Sequence, residues 1–206
     1  MTKIGLYFAK EPINKEIRLN WALDFFLNIP PGEKHYKISQ VKNIPRDVTV
    51  YGSIPHMHLL GKSMKAWFTL PDGTEKPLVF VDNWDFNWQL GYALKEPMHI
   101  PAGSKLHVQA EYDNSNDNPK NPNNPPKRVT FGEQTTDEMF LLVVPYTLDA
   151  EHLQANRTTS SVLHANAGVV FQPFTPQHSG QQVANNNPHS LQAKSLVSSS
   201  PVYATN

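Results

Sequence analysis

The feature that most constrains the fold of this chain is the short interval at which Pro, Gly, Asn and Asp interrupt its apolar runs. Three triplets, PPG at Pro30, PDG at Pro71 and PAG at Pro101, place proline, whose φ is preset, next to a glycine that tolerates a positive φ. The runs between such turns are rich in β-branched and aromatic residues. Runs of this composition at this spacing predict an all-β fold.

Six runs are predicted to be strands, and several short strands separated by turns favour an antiparallel, jelly-roll-like β-sandwich. The predicted strands are Ile4–Phe8, Val48–Ser53, Met64–Leu70, Leu78–Val81, Lys105–Tyr112 and Met139–Tyr146. Residues 113–127, DNSNDNPKNPNNPPK, contain too much Asn and Pro for a helix or a central strand. We expect an ordered surface loop there.

The length of 206 residues fits one ordinary domain with a core, or one domain with tails. From Asp149 onward the composition changes to Ser, Asn, Gln, Thr and Ala, with four charged residues in the rest of the chain. Such a segment has little apolar surface to offset the chain entropy that folding removes. Residues 149–206 are therefore predicted to form a low-complexity, disordered tail.

Charge and cysteine content restrict the partners and the metal ligands. Lys and Arg together number 18, as do Asp and Glu, so no net positive field favours nucleic acid or an anionic membrane as a partner. The absence of cysteine excludes disulfides and thiolate ligands, which leaves imidazole, carboxylate and thioether. We expect no signal peptide in the sequence as given, and no transmembrane segment, because its most apolar stretch, residues 139–144, is too short to span a bilayer.

Two histidines flank Met57 in the segment IPHMHLLGK. In an extended segment, His56 and His58 project to the same face about 7 Å apart, so both imidazoles could bind one metal ion. The alternative is a pair of surface or hydrogen-bonded histidines. A cupin-type site would need a Glu four or five residues later, whereas the first carboxylate after His58 is Asp72. A copper site stays open, because imidazole and thioether suit Cu(I).

Three motifs follow one another in order: IPPGEK at Ile29, HMHLLGK at His56 and TTDEM at Thr135. Together they resemble the C-terminal, catalytic domain of the copper type II, ascorbate-dependent monooxygenases, the family of peptidylglycine α-hydroxylating monooxygenase and dopamine β-monooxygenase, and especially its bacterial members. The resemblance covers residues 1 to about 147. It implies that copper is bound by His56, His58 and Met139, although core packing is the ordinary role of a methionine like Met139.

By this resemblance the chain is an enzyme that binds O2 at copper and hydroxylates an aliphatic C–H of a small molecule with an ascorbate-type reductant. Family members also use a second copper, which three histidines hold in a preceding domain. Residues 1–28 resemble only the closing strands of that domain, and residues 29–148 the catalytic domain. We therefore expect an upstream copper domain as a partner, and a periplasmic or extracellular location. The alternative function is a non-catalytic copper-binding or interaction module that remains after loss of the partner domain.

The substrate positions differ from those of the peptide-hydroxylating members, which bind a substrate carboxylate with an Arg, an Asn and a Tyr. The corresponding residues here are Ile54, Leu141 and Val143. An apolar triplet cannot neutralise a carboxylate, so we expect an uncharged, relatively apolar substrate. Phe140 occupies the position at which animal members carry a cysteine, so packing must hold that strand.

Other residues receive secondary predictions. Trp84 and Trp88, with Gln89, are candidates for the wall of a substrate pocket, although aromatic residues of a sandwich commonly belong to its core. Asp137 and Glu138 are candidates to orient a ligand histidine, or they form a solvated turn. His99 and His107 flank the PAG turn. We expect these two histidines to be structural and to meet across a hairpin.

Overall fold

The computed structural model describes residues 4–5 and 7–153. Its strands are β1 (Arg18–Leu23), β2 (Asn28–Ile29), β3 (Tyr36–Asn43), β4 (Val48–His56), β5 (Gly61–Thr69), β6 (Glu75–Val81), β7 (Tyr92–Ile100), β8 (Lys105–Tyr112), β9 (Val129–Thr130) and β10 (Leu141–Leu148). None of these residues forms a helix that is long and apolar enough to cross a membrane.

The strands form two four-stranded antiparallel sheets that pack face to face. The first sheet has the order β1-β10-β4-β7, the second has the order β3-β8-β5-β6, and β2 pairs with β9 in a separate short ladder. The apolar core lies between the two sheets. The predicted all-β antiparallel sandwich is thereby confirmed.

Alternation of side chains directs one face of β8 into this core. On β8, Leu106, Val108, Ala110 and Tyr112 are buried, whereas the residues between them are exposed or half-buried. This period of two is the geometry of an extended strand. Full burial of an aliphatic side chain contributes about 1.5 to 3 kcal/mol relative to exposure, so such positions dominate the stability of the sandwich.

The three predicted turn triplets all carry a glycine in the left-handed region. Gly32, Gly73 and Gly103 have φ values of 79°, 84° and 84°, and they are the glycines with positive φ within the described residues. The long loop between β8 and β9 is held by Asn114, which is fully buried and donates to the carbonyl oxygens of Pro30 at 2.9 Å and Lys127 at 2.7 Å.

The strand Lys105–Tyr112 is confirmed at both ends, and the predicted strands within β4, β5 and β6 are confirmed with shifted boundaries. The last predicted strand begins two residues too early, because β10 starts at Leu141 rather than at Met139. The N–H of Met139 donates to the carboxylate of Glu138 at 3.0 Å instead of to a neighbouring strand.

The prediction of a strand at Ile4–Phe8 is wrong for residues 4, 5, 7 and 8, which are the ones that the structure describes. Tyr7 and Phe8 are 88% and 74% exposed, and neither belongs to a strand in the described part of the chain. Sequence reasoning also missed β1, β3 and β7, in which exposed residues alternate mostly with half-buried ones. The six residues of β1 pair with β10 from Arg18↔Tyr146 to Leu23↔Leu141 and form the edge of the first sheet.

The predicted meeting of His99 and His107 across a hairpin is also wrong. The PAG turn links β7 of the first sheet to β8 of the second, so the two histidines lie in different sheets. His99 lies 2.7 Å from a carboxylate oxygen of Asp149, and His107 stacks on Trp67 with 5.0 Å between ring centroids.

The predicted disordered tail lies outside the described residues from position 154 onward. Its first residues contact the sandwich, because Asp149 accepts a hydrogen bond of 2.6 Å from the hydroxyl of Thr49, and Glu151 pairs with Arg18. The boundaries of residues 1–28, 29–148 and 149–206 as units stay predictions.

Candidate metal centre

The two histidines of the HMH segment lie side by side at the end of β4. Met57 between them is fully buried in the core, so the residues on either side project the other way. The ring centroids of His56 and His58 are 5.1 Å apart and the ring planes are nearly perpendicular, at 86°. His58 is buried and His56 is half-buried. The structure therefore brings together the two imidazoles that the sequence selected.

Both imidazoles use Nδ1 in a hydrogen bond. Nδ1–H of His56 donates to Oε1 of Gln89 at 2.6 Å, and Nδ1–H of His58 donates to the carbonyl oxygen of Asp137 at 3.1 Å. A neutral imidazole carries its proton on one nitrogen and a lone pair on the other. The Nε2 atom of each ring is therefore the nitrogen that can bind a metal, an arrangement that metalloproteins use to orient their ligands.

The protonation of His56 also favours metal binding. Burial lowers the pKa of His56 below its ordinary value, the hydrogen bond to Gln89 opposes this effect, and the neighbouring His58 lowers the pKa further. The neutral imidazole that results near neutral pH is the form that acts as a ligand.

A buried carboxylate joins the HMH segment to the TTDEM segment. Glu138 is fully buried, and its oxygens accept hydrogen bonds from the main-chain N–H groups of His58 at 2.8 Å, Leu60 at 2.7 Å and Met139 at 3.0 Å. Burial raises the pKa of Glu138 to about 7, against the opposing effect of these N–H donors. The side chain therefore keeps the backbones of two candidate ligands close together.

Met139 is half-buried and held through its main chain. Its carbonyl oxygen accepts a hydrogen bond of 2.8 Å from the hydroxyl of Tyr112, and Leu141, two residues later, pairs with His56 across β10 and β4. Within residues 4–5 and 7–153, no group of three or more His, Cys, Asp or Glu is placed to hold a metal ion. The thioether of Met139 stays the predicted third ligand.

Trp84 and Gly61 support the HMH segment from the core side. Trp84 is 3% exposed, and its indole N–H donates to the carbonyl oxygen of His58 at 3.0 Å. A Cβ atom on Gly61 would lie 2.7 Å from Cδ1 of Trp84, which explains the glycine in HMHLLGK. Trp84 therefore packs against the main chain of His58 and Gly61, whereas Trp88 is 55% exposed on the same loop. Their roles as pocket residues stay predictions.

The three apolar residues predicted around the substrate lie next to His56. Leu141 pairs with His56 and Val143 pairs with Ile54, which precedes His56 by two residues on β4. Directly opposed residues of antiparallel strands share a face, so these side chains form one apolar row beside the imidazole. Val143 is buried, and Ile54 and Leu141 are half-buried.

Asp137 contacts His58 through its main-chain carbonyl, whereas its carboxylate accepts from the N–H of Gln134 at 3.2 Å. Sequence reasoning missed the contacts of Gln89 with His56 and of Tyr112 with Met139. The sequence singles out the segment of Gln89 for its pocket candidates Trp84, Trp88 and Gln89. The contact itself was not predictable, because Gln89 lies 33 residues from His56.

Comparison with known families agrees with the motifs. The family model for the copper type II ascorbate-dependent monooxygenase C-terminal domain matches residues 26–167, which is more than half of the chain and includes all three motifs. No curated protein matches the chain.

Proposed function

The chain belongs to the copper type II ascorbate-dependent monooxygenase family through its C-terminal domain, and we propose that His56, His58 and Met139 bind one copper ion in it. The observation that carries this proposal is the pair of imidazoles 5.1 Å apart, each with Nδ1 bonded to an oxygen. Both Nε2 atoms are thereby left for a shared metal.

The donor set fits copper. Neutral imidazole nitrogens and a soft thioether suit Cu(I), whereas Mg²⁺, Ca²⁺ and Fe(II) favour carboxylate ligands, which the proposed set does not contain. When bound, copper supplies the one-electron chemistry that activates O2. The residues of the chain hold the ligands: Glu138 fixes the backbones of His58 and Met139, and Gln89 bonds to the ring of His56.

The proposed reaction is the hydroxylation of an aliphatic C–H. In it, R–H, O2, two electrons and two protons give R–OH and water. An ascorbate-type reductant supplies the electrons through a second copper-bearing domain, which is the proposed partner. The row of Ile54, Leu141 and Val143 beside His56 presents hydrocarbon to the substrate. A carboxylate there would lose charge-assisted hydrogen bonds of about 1.5 to 3 kcal/mol each, so the proposed substrate is an uncharged, apolar small molecule.

Copper binding tests the first part of the proposal. We expect about one Cu(I) per chain in a competitive titration, and X-ray absorption should show one sulfur scatterer with two nitrogen ligands. Met139→Leu should remove the sulfur scatterer, and His56→Ala or His58→Ala should abolish tight binding. His35→Ala changes an exposed histidine that precedes β3 of the other sheet, and it serves as the control. Unchanged binding in His56→Ala and His58→Ala would refute the site.

Substrate choice tests the second part. The chain would be combined with a family domain that carries the three-histidine copper, ascorbate and O2, and offered an acyl-glycine or an uncharged compound of similar size. We expect hydroxylation of the uncharged compound, and a shift toward the acyl-glycine in Ile54→Arg. Preferential turnover of the acyl-glycine by the wild type would overturn the apolar-pocket proposal. Copper binding without turnover of any substrate would favour the non-catalytic module.

A further inference from the structure

We propose that Gln89 is a positioning residue that holds His56 in the Nδ1–H tautomer and so makes Nε2 its metal-binding nitrogen. The inference rests on the proposed function, because it assigns to Gln89 the task of preparing one copper ligand. Gln89 acts through His56 and needs no contact with copper or substrate.

The hydrogen bonds of the Gln89 amide determine which of its atoms faces His56. Its Nε2 donates to the carbonyl oxygen of Phe86 at 2.8 Å, and its Oε1 lies 2.6 Å from Nδ1 of His56. A flipped amide would place two acceptors together at Phe86 and an N–H group at His56. The amide oxygen therefore faces His56, and an oxygen acceptor requires that Nδ1 carry the proton.

The two histidines differ in how many groups hold them. His58 is fixed by Glu138 at its N–H, by Trp84 at its carbonyl oxygen and by the main chain of Asp137 at its ring. The side-chain hydrogen bond found for the half-buried His56 is the one to Gln89. A neutral histidine in water favours the Nε2–H tautomer, so without this acceptor the free lone pair of His56 would shift to Nδ1.

The loop that carries Gln89 is anchored independently of any metal. Trp84, five residues earlier, is buried, and its main-chain N–H donates to the carbonyl oxygen of Lys62 at 2.9 Å. Within the loop, the N–H of Trp88 donates to the carbonyl oxygen of Asp85 at 2.9 Å. Protein contacts therefore hold the acceptor beside His56, and such preorganisation would spare the site the free-energy cost of orienting His56 on copper binding.

The test reads the tautomer directly, by long-range ¹⁵N–¹H NMR of the copper-free protein at about pH 8.5, roughly two units above the reference imidazole pKa. The wild type should show His56 and His58 as Nδ1–H tautomers. Gln89→Leu should move His56 toward Nε2–H and leave His58 unchanged, whereas Gln89→Glu keeps an oxygen acceptor and should retain Nδ1–H. Gln109→Leu, on β8 of the other sheet, is the matched control.

Cu(I) affinity is the second readout. Loss of a residue that orients a metal ligand costs about 10- to 100-fold in metal affinity, and we expect this loss in Gln89→Leu, recovery in Gln89→Glu and no change in Gln109→Leu. Should Gln89→Leu fail to fold, Gln89→Asn withdraws the acceptor by one methylene group and is expected to give the same tautomer change.

Two results would overturn the proposal. One is an Nδ1–H tautomer of His56 that persists in a folded Gln89 variant without an acceptor. The other is a change of tautomer with Cu(I) affinity kept at the wild-type value. If the wild type binds no copper, the proposed function fails together with the ligand role of His56, while the metal-free NMR spectrum still decides whether Gln89 sets the tautomer.

Discussion

The carboxylate of Glu138 accepts a hydrogen bond of 2.8 Å from the main-chain N–H of His58, a residue 80 positions away in the sequence. The same side chain binds the N–H of Met139 and is fully buried. The contact therefore links the HMHLLGK and TTDEM motifs physically, and it explains why an acidic residue stands before the methionine.

Replacing Glu138 by Ala should strongly destabilise the domain. The buried N–H groups of His58, Leu60 and Met139 would lose their acceptor. Since each unsatisfied buried group costs about 1 to 3 kcal/mol, we expect the free energy of unfolding in urea to fall by at least ~3 kcal/mol. The exposed Glu133→Ala is the control and should stay within ~0.5 kcal/mol of the wild type. A loss below ~1 kcal/mol for Glu138→Ala would contradict this role.

Gly61→Ala should be destabilising even though alanine is small. The added Cβ would lie 2.7 Å from Cδ1 of Trp84 and 2.9 Å from Cβ of Met57, closer than ordinary carbon contacts. Overpacking of this kind costs about 1 to 3 kcal/mol, which thermal unfolding would detect. At Gly91 the nearest atom, Cγ1 of Ile54, is 3.5 Å away, so Gly91→Ala should have a much smaller effect. Equal losses of stability in Gly61→Ala and Gly91→Ala would show that the close contact with Trp84 is not the cause of the destabilisation.

The two tryptophans of the loop between β6 and β7 should respond differently to Phe. Trp84→Phe removes the indole N–H from the carbonyl oxygen of His58 and leaves a gap in the core. We expect a loss of about 1 to 3 kcal/mol in the free energy of unfolding, together with weaker Cu(I) binding. Trp88→Phe changes a side chain that is 55% exposed and should alter stability by less than ~0.5 kcal/mol. Loss of stability in Trp88→Phe alone would show that Trp88, and not Trp84, supports the core.

Acid should weaken the contribution of Asp149 to folding. Burial by itself would raise the pKa of this carboxyl, but hydrogen bonds from Thr49 and His99, with the charges of His99 and Lys15, hold its pKa below the ordinary value. A depressed pKa contributes stability that is present above the unfolded pKa of about 3.9 and is lost as the pH falls through the folded pKa. The difference in unfolding free energy between the wild type and Asp149→Asn should thus be fully present at about pH 5 and shrink below about pH 4. A difference that grows toward low pH would show that the pKa of Asp149 is raised, not lowered, in the folded protein.

Local sequence patterns were sufficient for much of the fold. The alternation along β8 and the Gly of each turn triplet depend on residues close together in the chain, and the structure agrees with both. The spacing of His56 and His58 is equally local, since residues two apart in an extended segment share a face. Patterning failed at Tyr7 and Phe8, which are exposed, because an apolar run is stable as a strand only when it packs one face against a core.

The sequence by itself determined the all-β class, the positions of the three turns and the pairing of the two histidines, because these follow from the period and the φ preferences of neighbouring residues. Only the tertiary structure decided that Gln89 meets His56, that Glu138 meets His58, and that the PAG turn crosses between the sheets. The physical reason is that these contacts depend on which strands pair and how the loops close. Hydrophobic periodicity selects which face of a strand is buried, but leaves open which distant polar group lies opposite.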